Sequence, residues 1–251
     1  MGKSILDGVD NLLRSQFGAY TTKTGAKEYL KKPNNLSDIL WEKIYEQISL
    51  NYQNGNDAHS TENWRFEIKP FKAPKNKSAE KLLEKAIAKL GEKGTEWANQ
   101  VPVASGLVSS GRDRKRSVDL IRKQGVGSYE FIELKIASNN PLYAAIEILE
   151  YGIVYILYRI VIPENMRGAK SCPDLLRARK IHLIVSAPES YYEGYNRNSI
   201  ISLGKNLSKT INAFAKKRIK NLDMDFYFER FKFDELMADL YLESREPLKN
   251  L

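Results

Sequence analysis

The sequence has few of the residues that build disulfides and soft metal sites. Among its 251 residues are one cysteine, Cys172, and two histidines, His59 and His182. A single cysteine excludes an intrachain disulfide framework and any zinc or iron–sulfur site with several Cys ligands. It is typical of a reducing compartment, so we expect the protein to be cytoplasmic. Two histidines also leave little scope for a His-rich metal site.

The sequence also lacks a nucleotide-binding motif, a signal peptide and an uncharged membrane-spanning segment. The chain has no glycine-rich phosphate loop followed by Lys, which argues against an NTPase. The amino terminus is too polar for a signal peptide. The longest apolar stretch, residues 141–162, contains Glu147, Glu150 and Arg159, each of which is costly in a bilayer. We therefore expect this stretch to be a core helix, and we expect no membrane partner.

Positive charge is in excess. Forty Lys and Arg residues outnumber 31 Asp and Glu residues, which gives a net charge of +9 and a pI near 9.3. Such a balance favours polyanionic partners, of which nucleic acid is the first candidate and an anionic membrane surface the second.

Two acids and a lysine interrupt an otherwise apolar hairpin in "SVDLIRKQGVGSYEFIELKIAS", residues 117–138. Glycines on either side of Val126 indicate a tight turn that requires positive φ. If the turn is centred on Val126, Asp119 and Glu133 oppose each other, because each lies seven residues from it. Lys135 would then oppose Ser117.

Side chains of a strand alternate between faces, so Asp119, Glu133 and Lys135 share one face. The other face is apolar and carries Val118, Leu120, Ile132, Leu134 and Ile136. Opposed Cβ atoms lie about 4.5–5.5 Å apart, and two carboxylates that close need a cation between them. Lys135 can supply part of that charge, and Mg²⁺ can supply the rest. An ordinary salt-bridge cluster on a solvated face is an equally good explanation of the spacing alone.

The same residues resemble the signature of the PD-(D/E)xK nuclease superfamily. The first half reads Ser117-Val118-Asp119, with Val118 where the signature has proline, and the second half reads Glu133-Leu134-Lys135. Acid-x-Lys also occurs at residues 67–69 and 113–115, so the order of elements must decide between the copies. A helix at 78–94, strands at 97–105, 116–123 and 128–138, a helix at 140–162 and a strand at 180–188 favour the Glu133 copy. The resemblance covers residues 78–188.

The resemblance implies an α/β fold with a mixed central sheet flanked by helices, built on a restriction-endonuclease-like αβββαβ core. We expect a mainly helical amino-terminal region over residues 1–70, packed on or appended to the core. The nuclease domain would then span residues 71–251, with a basic helix and a strand near its end. Short segments at residues 64–71 and 223–233 are also predicted as strands.

The resemblance further implies a metal-dependent nuclease that acts on nucleic acid, with DNA the first candidate and a homodimer possible. Asp119, Glu133 and the carbonyl of Leu134 would hold Mg²⁺, which Mn²⁺ could replace, and Lys135 would orient the attacking water. A further acid is expected on the first helix. Glu80 is favoured because it lies nearer the edge of the apolar stripe, and Glu84 is the alternative.

Basic and aromatic side chains are candidates for holding the substrate. Phosphates flanking the cleaved one could be bound by Arg112, Arg114, Lys115 and Arg116. A second basic face is predicted on the later helix, with Lys205 and Lys209. Exposed bases could stack on Tyr191, Tyr192 and Tyr195. Two alternatives stay open: a non-catalytic nucleic-acid-binding or protein-interaction module on the same fold, and a membrane-surface protein that uses the basic helix.

Overall fold

The computed structural model describes residues 4–32, 36–54, 60–69, 78–91, 96–108, 111–232 and 238–248. The helices in these ranges are α1 (Val9–Phe17), α2 (Lys23–Lys31), α3 (Asp38–Gln53), α4 (Ala79–Gly91), α5 (Pro141–Val161), α6 (Pro173–Leu176), α7 (Glu189–Tyr192), α8 (Arg197–Arg218) and α9 (Ala238–Ser244). The strands are β1 (Trp97–Pro102), β2 (Ser117–Gly125), β3 (Ser128–Leu134), β4 (Lys180–Pro188), β5 (Asp223–Phe231) and β6 (Glu246–Pro247).

The fold is α/β, with one six-stranded mixed sheet whose strands lie side by side in sequence order. Strands β1, β2 and β3 form an antiparallel meander. Helix α5 then crosses to β4, which is parallel to β3, and α8 crosses to β5, which is parallel to β4. Strand β6 adds a short antiparallel edge. The expectation of a mixed sheet flanked by helices is confirmed.

Local sequence explains where the principal helices begin. The side chain of Asn140 accepts a hydrogen bond from the backbone N–H of Tyr143, and Pro141 occupies the first turn of α5. Ser37 caps α3 by accepting from the N–H of Ile39. Among the described helices, none combines the length and hydropathy needed to cross a bilayer. Instead, α5 packs on the sheet as a core helix.

The sheet is buried on both faces. On one face, Ile121, Tyr129 and Phe131 of the hairpin join the larger core beneath α5 and α8, which α1 to α3 extend. On the other face, Leu120 and Ile132 join a smaller core with α4 and α9. The predicted apolar face is therefore confirmed for Leu120, Ile132, Leu134 and Ile136, whereas Val118 joins the larger core instead. The face that carries the charges is also largely core. The polar cluster occupies only its end.

Residues 64–69, predicted as part of a strand, form no strand. Arg65 makes only an isolated bridge to Ser171. Trp64 adopts a φ of 58°, which breaks an extended run, and the buried side chain of Arg65 turns inward to bind backbone carbonyls. The rest of that prediction, residues 70 and 71, lies outside the described residues.

Candidate active site

The hairpin follows the register expected from its turn. Paired residues run from Leu120–Ile132 to Lys123–Tyr129, with an irregularity between Lys123 and Gly125. The turn residue Val126 is 92 % exposed, and Gly127 has a φ of 69°, which glycine adopts without strain.

The ladder ends just before the acids. Beyond Leu120 and Ile132 the strands separate, and Asp119 Oδ2 accepts a hydrogen bond of 3.1 Å from the N–H of Leu134. Asp119 and Glu133 therefore lie where the hairpin opens, rather than within a closed ladder.

A cavity of about 240 Å³ lies at this opening. It is lined by Glu80, Lys81, Glu84, Gln100, Lys115, Ser117, Asp119, Glu133, Leu134, Lys135, Glu147 and Tyr151. All the predicted catalytic and metal-binding residues are among them. Sequence reasoning missed Lys81, Gln100, Glu147 and Tyr151 as members of the site.

Lys135 is the cation at the centre of the cluster. Its Nζ lies 2.5 Å from Glu133 Oε1 and 3.1 Å from Oε2 of Glu147, which projects from α5. Burial acts to lower the pKa of Lys135, but the charges of Glu133, Glu147 and Asp119 outweigh burial and raise it. Lys135 is therefore a fixed positive charge and hydrogen-bond donor.

The two hairpin acids are held in an environment that opposes their ionisation. Burial raises the pKa of Asp119, despite the nearby charges of Lys135 and Lys81. Burial raises the pKa of Glu133 well above its usual value, and Asp119 and Glu147 add to the effect. The Oε2 atom of Glu133 is buried and has no hydrogen-bond partner among the described residues. Additional positive charge in the cavity would lower the pKa of both acids and give the Oε2 atom of Glu133 a partner.

Glu84 reaches the cluster from α4. Its Oε2 accepts hydrogen bonds of 2.8 Å from both Lys81 Nζ and Gln100 Nε2. Gln100 Nε2 also lies 3.2 Å from Asp119 Oδ1, so this amide joins the two carboxylates. Burial, followed by the charge of Asp119, raises the pKa of Glu84 to about 7.

Glu80 lines the same cavity but serves the loop after β3. Its Oε1 accepts from the N–H of Ile136 at 2.9 Å and from the hydroxyl of Ser138 at 2.6 Å. Burial acts to raise the pKa of Glu80, but these hydrogen bonds and the charge of Lys135 outweigh it and lower the pKa. The contacts therefore favour Glu84 over Glu80 as the helix acid that faces the cluster.

Gln100 is held in a strained backbone conformation. Its φ of 45° is unusual for a residue with a side chain. The buried guanidinium of Arg65 donates 2.8 Å hydrogen bonds to the carbonyls of Asn99 and Gln100 and one of 2.7 Å to the carbonyl of Glu67. Arg65 thus fixes the backbone that directs the Gln100 amide towards the acids. No local pattern in the sequence signals this arrangement.

The predicted basic residues separate into two places. Lys115 lines the cavity and Arg114 is exposed, whereas Arg116 donates to the buried carboxylate of Asp113 at 2.9 Å. The side chain of Arg112 lies outside the described residues. Lys205 and Lys209 are exposed on α8 and line another cavity, of about 430 Å³, against β5. Among the predicted basic residues whose side chains are described, only Lys115 lines the cavity that holds the acids.

The described residues contain no group of three or more His, Cys, Asp or Glu side chains arranged to hold a metal ion. A magnesium ion does not require one, because it usually takes one or two carboxylates and completes its shell with water and substrate phosphate. The donors available here are Asp119, Glu133 and the carbonyl oxygen of Leu134. The unpartnered Oε2 of Glu133 fits such a role.

No protein-family model matches the chain, and searches of curated proteins and of solved structures return no match.

Proposed function

We propose that the protein is a magnesium-dependent nuclease that hydrolyses phosphodiester bonds of nucleic acid, with DNA as its first candidate substrate. The observation that carries this proposal is the convergence of Asp119, Glu133 and Lys135 on one polar cavity at the mouth of the hairpin. In a salt-bridge cluster on a solvated face the charged side chains would be exposed, whereas Glu133 and Lys135 are both buried.

The order of the elements supports a restriction-endonuclease-like core. Helix α4 is followed by the meander β1 to β3, then by α5 and by β4 parallel to β3, which is the expected αβββαβ order. Asp119 lies near the start of β2 and Glu133 near the end of β3, where α4 and α5 both reach the sheet. The fold therefore provides a rigid apolar base beneath a polar opening.

Asp119, Glu133 and the carbonyl of Leu134 would hold the Mg²⁺, and Mn²⁺ could take its place. When bound, the ion would lower the pKa of a coordinated water and neutralise charge that develops on the phosphate. Lys135 would donate a hydrogen bond to that water or to a phosphate oxygen, since its charge is maintained by Glu133 and Glu147. Glu84 would orient Gln100 and Lys81 towards Asp119.

Incubation with circular and linear DNA, in Mg²⁺ or in EDTA, tests the proposal. We expect nicking that depends on Mg²⁺ and falls at least about 100-fold in Asp119→Ala, Glu133→Gln and Lys135→Ala, a loss typical of removing one preorganised charge. Far-UV circular dichroism should show that each variant is folded.

The chain contains its own matched control. Glu67 and Lys69 form a second acid-x-Lys sequence, and both side chains are exposed away from the cavity. Glu67→Gln combined with Lys69→Ala should cut DNA as the unaltered protein does. Equal cutting by Lys135→Ala and the unaltered protein would overturn the proposal.

A non-catalytic nucleic-acid-binding module is the second candidate. The observation that favours it is the ion pair between Lys135 and Glu133, which satisfies one oxygen of Glu133 without a metal. Such a module would bind DNA equally well in Mg²⁺ and in EDTA and would cut it in neither.

A further inference from the structure

A second cavity, of about 280 Å³, lies next to the candidate active site. It is lined by Lys23, Lys27, Ile136, Ala137, Asn139, Ser190, Tyr191, Glu193 and Tyr195. Lys135 lines the first cavity and Ile136 the second, and the Cα atoms of consecutive residues are about 3.8 Å apart. We name this second cavity the tyrosine–lysine pocket.

Two tyrosines that line this pocket have buried hydroxyls without a hydrogen-bond partner in the described part of the chain. Tyr191 is only 8 % exposed, and neither its hydroxyl nor that of Tyr195 has a partner among the described residues. The neighbouring Tyr192 differs, because its hydroxyl donates to backbone carbonyl oxygens of Val185 and Glu229. Buried hydroxyls without partners destabilise a fold unless a ligand or water completes them. Tyr192 thus has a structural role, whereas the hydroxyls of Tyr191 and Tyr195 are donors that the described residues do not use.

The two lysines add unpaired positive charge. Lys23 and Lys27 are exposed on one side of α2 and form no ion pair with a described acid. Lys23 is the first residue of that helix, at the positive end of its dipole, where a cation is unfavourable for the helix itself. Helix stability therefore does not explain its position, whereas an anionic ligand does.

Together these groups have the chemistry of a phosphate site. Ammonium groups and hydroxyl donors are the side chains that contact the backbone phosphates of nucleic acids. The acid in the lining, Glu193, is exposed and forms no ion pair with either lysine in the described chain. Lys27 Nζ lies 5.5 Å from the centre of the Tyr195 ring, so the aromatic face is occupied by a cation rather than left open to a base.

We propose that the tyrosine–lysine pocket binds a phosphate of the nucleic-acid strand that flanks the phosphate at the carboxylate cluster. This proposal rests on the nuclease function proposed above and names a substrate contact for it. Lys23 and Lys27 neutralise the phosphate, and the hydroxyls of Tyr191 and Tyr195 donate hydrogen bonds to its oxygens. The pocket therefore contributes to substrate binding and not to the chemical step.

The test measures binding and cleavage separately. Binding of a labelled single-stranded oligonucleotide is measured in EDTA over a series of salt concentrations, and KM and kcat are measured in Mg²⁺. Lys23→Gln with Lys27→Gln should reduce the slope of log affinity against log salt by about 0.7, since the pocket binds one phosphate and each phosphate contact on a single strand contributes about 0.7. KM should rise at least about fivefold while kcat stays constant.

Three further variants sharpen the test. Tyr191→Phe with Tyr195→Phe should raise KM without changing the salt slope, because it removes donors but no charge. Glu193→Gln should have the opposite effect and lower KM. Lys43→Gln with Lys89→Gln removes two exposed lysines that line neither cavity, and it should change neither KM nor kcat.

The outcomes distinguish the pocket from the catalytic proposal. A weaker salt dependence of oligonucleotide affinity in the Lys23→Gln, Lys27→Gln variant supports the pocket even if no cleavage is observed. Unaltered KM and salt slope in a variant that still cuts DNA overturn the pocket and leave the nuclease in place. Failure of the unaltered protein to bind the oligonucleotide also overturns the pocket.

Discussion

Glu150 is a half-buried carboxyl group on α5, three residues after Glu147, which lines the candidate active site. Burial raises the pKa of Glu150 to about 8, although the charge of Arg116 acts in the opposite direction. Between about pH 5 and pH 8 the folded chain retains a proton on Glu150 that the unfolded chain has released. Stability should therefore fall as the pH rises through this window.

We predict that Glu150→Gln removes this loss. The variant should be more stable than the unaltered protein by about 1–2 kcal/mol at pH 8.5 and equal to it at pH 5. Urea denaturation at a series of pH values measures the difference. Glu243→Gln, which alters an exposed glutamate on α9, should show no such trend. A difference for Glu150→Gln that is constant with pH would contradict the assignment.

Sequence patterns were sufficient to predict some site residues and insufficient for others. Asp119, Glu133 and Lys135 lie on one hairpin, so the two-residue period and the turn at Val126 predict their proximity. Gln100 and Glu147 come from other elements, and nothing local marks them. The choice between Glu80 and Glu84 depends on which helix face meets the loop after β3, which is a tertiary contact.

At the scale of elements, α2 depends on a close backbone approach. A Cβ atom placed on Gly25 would lie 2.1 Å from the carbonyl oxygen of Ala19, and a backbone atom cannot move aside as a flexible side chain can. The segment "KTGAKEYLK" lies in the amino-terminal region that was expected to be mainly helical, although a glycine within a helix weakens it. Gly25 therefore weakens the helix locally but permits its packing against the backbone of Ala19.

We predict that Gly25→Ala destabilises the protein by about 1–3 kcal/mol, even though alanine favours helices. Because α2 carries Lys23 and Lys27, the substitution should also weaken oligonucleotide binding. Gly111→Ala is the control, since nothing lies within 4 Å of its added methyl group. Thermal and urea denaturation measure stability. If Gly25→Ala left stability unchanged, the backbone at Ala19 would have to move to make room for the methyl group.

Other elements were predictable because their ends are marked locally. Asn140 before Pro141 indicates the start of α5, and Ser37 and Ser78 precede α3 and α4. The predicted strand that begins at Trp64 was wrong for its described part, because the positive φ of Trp64 and the inward turn of Arg65 follow from tertiary contacts.

Across the whole molecule, an arginine ties the carboxyl-terminal segment to the sheet. The side chain of Arg245 is buried and donates to Glu229 at 2.7 and 2.9 Å and to Glu130 at 3.0 Å. Helix α9, just before it, packs against α4, which carries Glu84. No sequence pattern predicted this connection, because it joins side chains of three separate elements, and Glu130 is 115 residues from Arg245 in the chain.

We predict that Arg245→Met destabilises the protein by about 3–5 kcal/mol, since it leaves two buried carboxylates without their cation. The control is Arg177→Met, which breaks an exposed ion pair with Glu164 and should cost less than about 1 kcal/mol. Urea denaturation of both variants measures the contrast. If both variants lost less than about 1 kcal/mol of unfolding free energy, the buried ion pairs of Arg245 would contribute no more than the exposed pair.

Asp113 has a consequence for anyone who engineers the protein. Its buried carboxylate accepts from the hydroxyl of Ser4 at 2.6 Å and from the amide of Ile5 at 3.0 Å, as well as from Arg116. These hydrogen bonds attach Ser4 and Ile5 to the short 3₁₀ helix, residues 111–115, that ends at Lys115. A bulky fusion placed just ahead of Ser4 would strain these hydrogen bonds and disturb Lys115 at the rim of the candidate active site, although the two lie more than a hundred residues apart in the chain.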